Sequence, residues 1–67
     1  MTFDEVVAEL TEAIRVGYRE QQELVRVTDL AFDYLAEHDA TLANEQVMEL
    51  RILLAQAETM IGRYFGT

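Results

Sequence analysis

Residues 24–35, LVRVTDLAFDYL, set the tightest limit on what this chain folds into. Wound at about 100° per residue, they gather Arg26, Asp29 and Asp33 into a narrow polar strip. Leu24, Val25, Val27, Leu30, Ala31, Phe32, Tyr34 and Leu35 spread over the remaining circumference. A helix this apolar needs cover on more than one side, and with only one other helical segment in the chain the missing cover is expected from a second copy of the protein.

The surrounding spacing predicts one long helix over about 3–38. Thr2 with Glu5 forms a capping box at its start, and Asp4 adds negative charge at the positive end of the helix. From there Phe3, Val7, Leu10, Ile14, Gly17, Gln21, Leu24, Thr28, Ala31, Leu35 and His38 recur at alternating steps of four and three, a coiled-coil-like seam. Val6, Tyr18, Val25 and Phe32 widen the seam as in a bundle helix. The stretch EHDATLAN marks a turn at about 39–43, with Asp39, Thr41 and Asn44 as acceptable N-caps for a second helix. That helix, over about 44–65, carries Ala43, Val47, Leu50, Leu54, Ala57, Ile61 and Tyr64 on its seam and Leu53, Met60 and Phe65 on the flanks, ending at Gly66. The expected class is therefore all-α, a single helical-hairpin domain.

The two helices differ in length. At about 1.5 Å rise per residue, a hairpin closed near residue 40 brings Phe65 back only to the level of Arg15. Phe3, Val6, Val7, Leu10 and Ile14 are then left in water, which argues for a homodimer, an antiparallel four-helix bundle in which each overhang lies along the other subunit. The interface expected on this reading is Phe3, Val6, Val7, Leu10, Ile14, Gly17, Leu24, Val27, Leu30 and Tyr34, with Gly17 allowing close backbone approach. Size points the same way: 67 residues without Cys, Pro or Trp make a small core with no disulfide or thiolate metal site to supplement it.

The formal charge is −8, and all five basic residues are Arg. A field of that sign repels nucleic-acid phosphates and favours basic protein surfaces. The longest apolar run, Ile52 to Ala55, is far short of a membrane span of about 20 residues, and no N-terminal basic segment precedes an apolar run. A cytoplasmic protein with no membrane contact is expected.

No residue cluster specifies a reaction. Ser and Cys are absent and the Thr residues sit at caps or in the seam, so no enzyme and no cofactor is expected. His38, the single histidine, lies between Glu37 and Asp39 but lacks the Glu-x-x-His step and inward carboxylates of carboxylate-bridged metal bundles; it reads as a helix C-terminal His interacting with the last carbonyls. The carboxylate pairs Glu5 and Glu9, and Glu20 and Glu23, read as a solvated face. Arg15, Arg19 and Arg26 share an outer ridge diluted by Glu12, Glu23 and Asp29, with surface pairs such as Arg19 with Glu23 and Arg26 with Asp29 expected. On the second helix Met48 and Ile52 lie one turn apart, opposite Val47, Leu50 and Leu54, and Ala55 and Thr59 continue this low-charge ridge beside Glu45, Glu49 and Glu58. An adaptable Met in an exposed apolar pair is a partner-site signal. Met48, Ile52, Glu45, Glu49 and Ala55, with Arg15 and Arg19 in reserve, are the expected partner-binding residues.

The hairpin reading, the turn stretch EHDATLANEQ and the terminal RYFG resemble the Rop family of helical hairpins, which implies a four-helix dimer and binding of RNA. That activity needs a basic, aromatic-bearing face, and this chain is acidic. In size, acidity and helical simplicity the chain is also similar to small phage-encoded inhibitors, the quorum-sensing anti-activators and some anti-CRISPR proteins. That resemblance implies a protein that inhibits or sequesters a host transcription regulator or defence complex by covering a basic surface. The expected partner is accordingly a protein, such as a DNA-binding regulator, with Rop-like nucleic-acid binding as the alternative.

Overall fold

Thr2 opens the first helix with both halves of the capping box in place. Its Oγ accepts from the Glu5 backbone N–H at 3.2 Å, and its own N–H donates to Glu5 Oε1 at 3.0 Å. These bonds hold the Glu5 carboxyl below its ordinary pKa, the Thr2 backbone donor contributing most. The computed structural model, which describes residues 1–17 and 21–65, is all-α over those residues: α1 Phe3–Arg15, α2 Gln21–His38 and α3 Asn44–Phe65. Tyr18, Arg19, Glu20, Gly66 and Thr67, and the side chains of Tyr64 and Phe65, lie outside the described residues.

The continuous helix expected over 3–38 is two helices. α1 ends at Arg15, where the Val16 N–H donates to the Glu12 carbonyl at 3.1 Å and the Gly17 N–H donates to that of Ile14 at 3.3 Å, a tightened last turn. The chain then reverses. Met1 shares a hollow with Leu30, Asp33, Tyr34, Glu37 and His38, so the start of α1 lies beside the end of α2. Each helix packs against the other two, giving an up-down-up bundle 36 Å long.

This return of α1 supplies the cover that the apolar circumference of α2 requires. The core is Val6, Leu10 and Ala13 from α1, Leu24, Val27 and Ala31 from α2, and Leu50, Leu54 and Ala57 from α3. Each helix thus contributes two larger side chains and one alanine. Phe3, Ile14, Tyr34 and Leu35 pack on the core half-buried, and Val7 and Leu30 are half-buried as well. The strip that a hairpin leaves in water is therefore met by α2 and α3 of its own chain. The energetic reason is simple: burying Val6 and Leu10 contributes roughly 1.5–3 kcal/mol each, whereas a helix continued through Gly17 carries a penalty of about 1 kcal/mol and covers neither.

Gly17 lies at a close contact, in the turn after α1 and not within a helix. A Cβ built there meets Met60 Cε at 2.6 Å, Leu24 Cδ2 at 3.0 Å and the Ala13 carbonyl oxygen at 3.1 Å. The Met60 terminus swings aside readily, but the backbone oxygen and the core leucine have less room. Gly17→Ala is expected to destabilise by about 1 kcal/mol, read as a lower urea midpoint with an unchanged slope; a raised midpoint would contradict this packing.

At the second reversal Thr41 serves the end of α2, not the start of α3. Its N–H and Oγ donate to the His38 carbonyl at 2.9 and 3.0 Å, and the Leu42 N–H joins them at 3.0 Å. Neither Asp39, Thr41 nor Asn44 caps α3. The residue before the helix is Ala43, whose N–H donates to Gln46 Oε1 at 2.9 Å, half of a capping box made by a glutamine instead of a short polar cap.

Candidate docking face on the third helix

α3 turns Leu50, Leu54 and Ala57 inward, and at about 100° per residue this places Met48, Ile52, Ala55 and Thr59 on the opposite side. Met48 is 63% exposed and Ile52 56%, more than any other large apolar residue of α1, α2 or α3 among the described residues. Ala55 is exposed, and Thr59 Oγ donates to the Ala55 carbonyl at 2.9 Å, so this hydroxyl is satisfied within its own helix. The ridge therefore offers contact area without an unpaired donor that a partner would have to desolvate.

The ridge borders a hollow of about 560 Å³ lined by Ile14, Ile52, Ala55, Gln56, Thr59 and Met60. Ile14 reaches it only because α1 folds back beside α3. Ile14, Gln56 and Met60 do not stand out in the sequence as docking residues, since a helix running straight through residue 17 puts Ile14 far from α3. Glu45, Glu49 and Glu58 are exposed around the ridge, as are Arg51 and Arg63. Among the described residues neither of these two arginines has a carboxylate in ion-pair contact.

The arginines of the other candidate ridge are engaged. Arg15 holds Glu12 through both guanidinium positions, with Nε to Oε2 at 3.0 Å, and Arg26 holds Glu23 in the same way at 3.1 Å. Arg26 thus takes the carboxylate three residues before it, not Asp29 three residues after, in line with the better orientation of an acid N-terminal to its base on a helix. These bonds hold the Glu12 and Glu23 carboxyls below their ordinary pKa. Both pairs stand in solvent, where such pairs add little stability. Arg19 lies outside the described residues.

The His38 ring lies against Tyr34, centroids 4.3 Å apart and planes tilted by 39°, and its Nε2 lies 3.9 Å from Glu37 Oε2. A smaller hollow of about 140 Å³ between α1 and α2 is bordered by Glu9, Glu12 and Glu23, the last two already held by arginine. No cluster of three His, Cys, Asp or Glu side chains among the described residues is arranged to hold a metal ion. No helix among them is long and apolar enough to cross a membrane. What the geometry brings together is an exposed apolar ridge, an adjoining hollow and a charged border.

Compared with known proteins, the chain matches no family model, no curated protein and no solved structure.

Proposed function

We propose that this chain is a small acidic protein-interaction module that acts by occupying a partner's surface and carries out no chemistry of its own. The observation that carries the reading is the exposure of Met48 and Ile52 on the outer face of α3, beside the hollow that Ile14 and Met60 help to line. Apolar contact of this kind supplies affinity when desolvated, and Glu45, Glu49 and Glu58 with a net charge of −8 supply attraction for a basic surface. A regulatory protein with a basic, nucleic-acid-facing surface fits both parts, and covering that surface would inhibit or sequester it. Engagement of Arg15 and Arg26 by their own carboxylates weighs against nucleic acid as the partner.

The test is the double variant Met48→Asp with Ile52→Asp, studied against a partner recovered with the tagged chain from its host. Because both positions are exposed, helicity and stability should stay within about 1 kcal/mol of the parent. Affinity should fall by roughly a hundredfold or more, as when apolar anchors at the centre of an interface are removed. Unchanged affinity would remove this face from consideration. A gel shift with RNA or DNA at low salt, weakening steeply as salt rises, would replace the proposal with nucleic-acid binding through an arginine surface.

A further inference from the structure

Met48, Ile52, Ala55, Thr59 and Gly62 succeed one another along α3 at steps of four, three, four and three, the spacing of a helix-pairing seam. This seam lies opposite the one that Leu50, Leu54 and Ala57 bury within the chain. It is also graded, with its large residues at the start and its small ones at the end. Gly62 is the sharpest feature. It stands inside a helix that runs on to Phe65, glycine is among the poorest helix formers, and a Cβ built there meets nothing within 4 Å among the described residues. Packing among the described residues therefore gives no reason for a glycine at this place, whereas close approach by another helix does.

We infer that the occupant of this face is a second copy of the chain, its α3 running antiparallel to the first. The inference rests on the reading of α3's outer side as a protein-docking face and gives that face a second copy as its occupant when the basic partner is absent. In the register that sets Ile52 against the partner's Ala55, Met48 meets the partner's Thr59 and Glu45 meets the partner's Gly62. Every layer then pairs a large side chain with a small one. The two-fold symmetry repeats each of these contacts.

Charge fits the same register. Arg51 and Glu58 lie along one border of the seam, seven residues apart, and antiparallel pairing brings Arg51 within two residues of level with the partner's Glu58, and Glu58 likewise with the partner's Arg51. Across the other border Glu45 comes within one residue of level with the partner's Arg63. Arg51 and Arg63 are the arginines that find no carboxylate within their own chain among the described residues.

Sedimentation of the full chain over a dilution series tests this, with circular dichroism on every variant to confirm retained helicity. The parent should be a reversible dimer. Ile52→Asp should weaken it by roughly a hundredfold. Arg51→Glu and Glu58→Arg should each weaken it about tenfold, since two attractive pairs become two repulsive ones, and Arg51→Glu combined with Glu58→Arg should restore it. A parent that stays monomeric at every concentration overturns the inference but leaves α3's outer side open to a different protein, which the partner measurement above decides. A dimer indifferent to Ile52→Asp forms through another surface and likewise overturns the inference, leaving α3's outer side to the same partner measurement. A dimer lost with Ile52→Asp, yet showing no rescue by the double charge reversal, keeps the docking face and overturns the antiparallel self-pairing.

Discussion

Leu10→Asp is expected to abolish cooperative folding. Leu10 is fully buried in α1 against the other two helices, so the substitution removes a core side chain, typically 2–5 kcal/mol for a large-to-small change, and leaves a carboxylate without a partner. For a domain of 67 residues, total stability near 0.05–0.15 kcal/mol per residue amounts to only about 3–10 kcal/mol. Helical circular dichroism should collapse and no urea transition should remain. A hairpin dimer predicts a different outcome, because there Leu10 lies on an overhang and its loss would give a helical monomer. Retained helicity in Leu10→Asp would therefore restore the two-helix reading.

Leu24→Ala should lower stability by about 2–5 kcal/mol, the usual range for emptying a fully buried leucine site. Its coupling to Gly17 is the more specific expectation. Leu24 Cδ2 is one of the atoms that crowd a Cβ at Gly17, at 3.0 Å, so the shortened side chain opens the space that Gly17→Ala needs. In the Leu24→Ala background the added methyl should become neutral or stabilising, giving a favourable interaction of about 1 kcal/mol between the two sites. Strict additivity in a urea-denaturation double-mutant cycle would mean that α1 and α2 do not close on one another through this contact.

Helical periodicity is enough to read the all-α class, because every described helix keeps its buried residues at helical spacing. The reversal after α1 is not legible. The four-and-three seam runs from Ile14 through Gly17 and Gln21 to Leu24 without a change of phase and without a proline, so a continued helix and a returning one present the same local pattern. Gly17 alone marks the place, and its role as a packing position beside Leu24 and Met60 becomes visible only in three dimensions. Val6, Leu10 and Leu24 read as apolar seam residues from the pattern, but nothing in the pattern says whether one chain or two would cover them.

The same distinction governs the proposed docking face. Met48 and Ile52 are legible as outward residues because they lie opposite Leu50 and Leu54 on one helix. The hollow beside them depends on Ile14 arriving from α1, a long-range consequence that local spacing cannot carry. Phe32, grouped by spacing with the residues flanking the seam, is 41% exposed, since α1 and α3 cover α2 on other sides.

The return of α1 creates the hollow and leaves the outer side of α3 uncovered by α1 and α2, so the distance between the two ends of the first 38 residues tests the account most directly. The chain has no cysteine, and spin labels on Asp4→Cys and Glu37→Cys are unambiguous; both positions are exposed. Labelled chain diluted into an excess of unlabelled chain isolates the intramolecular distance by pulsed electron resonance. Helices packed about 8–10 Å apart, with Met1 beside Glu37 and His38, predict a short distance of roughly 10–20 Å. A single helix through Gly17 would separate the same labels by about 50 Å, and a distribution centred there would contradict the three-helix fold and the docking face built on it.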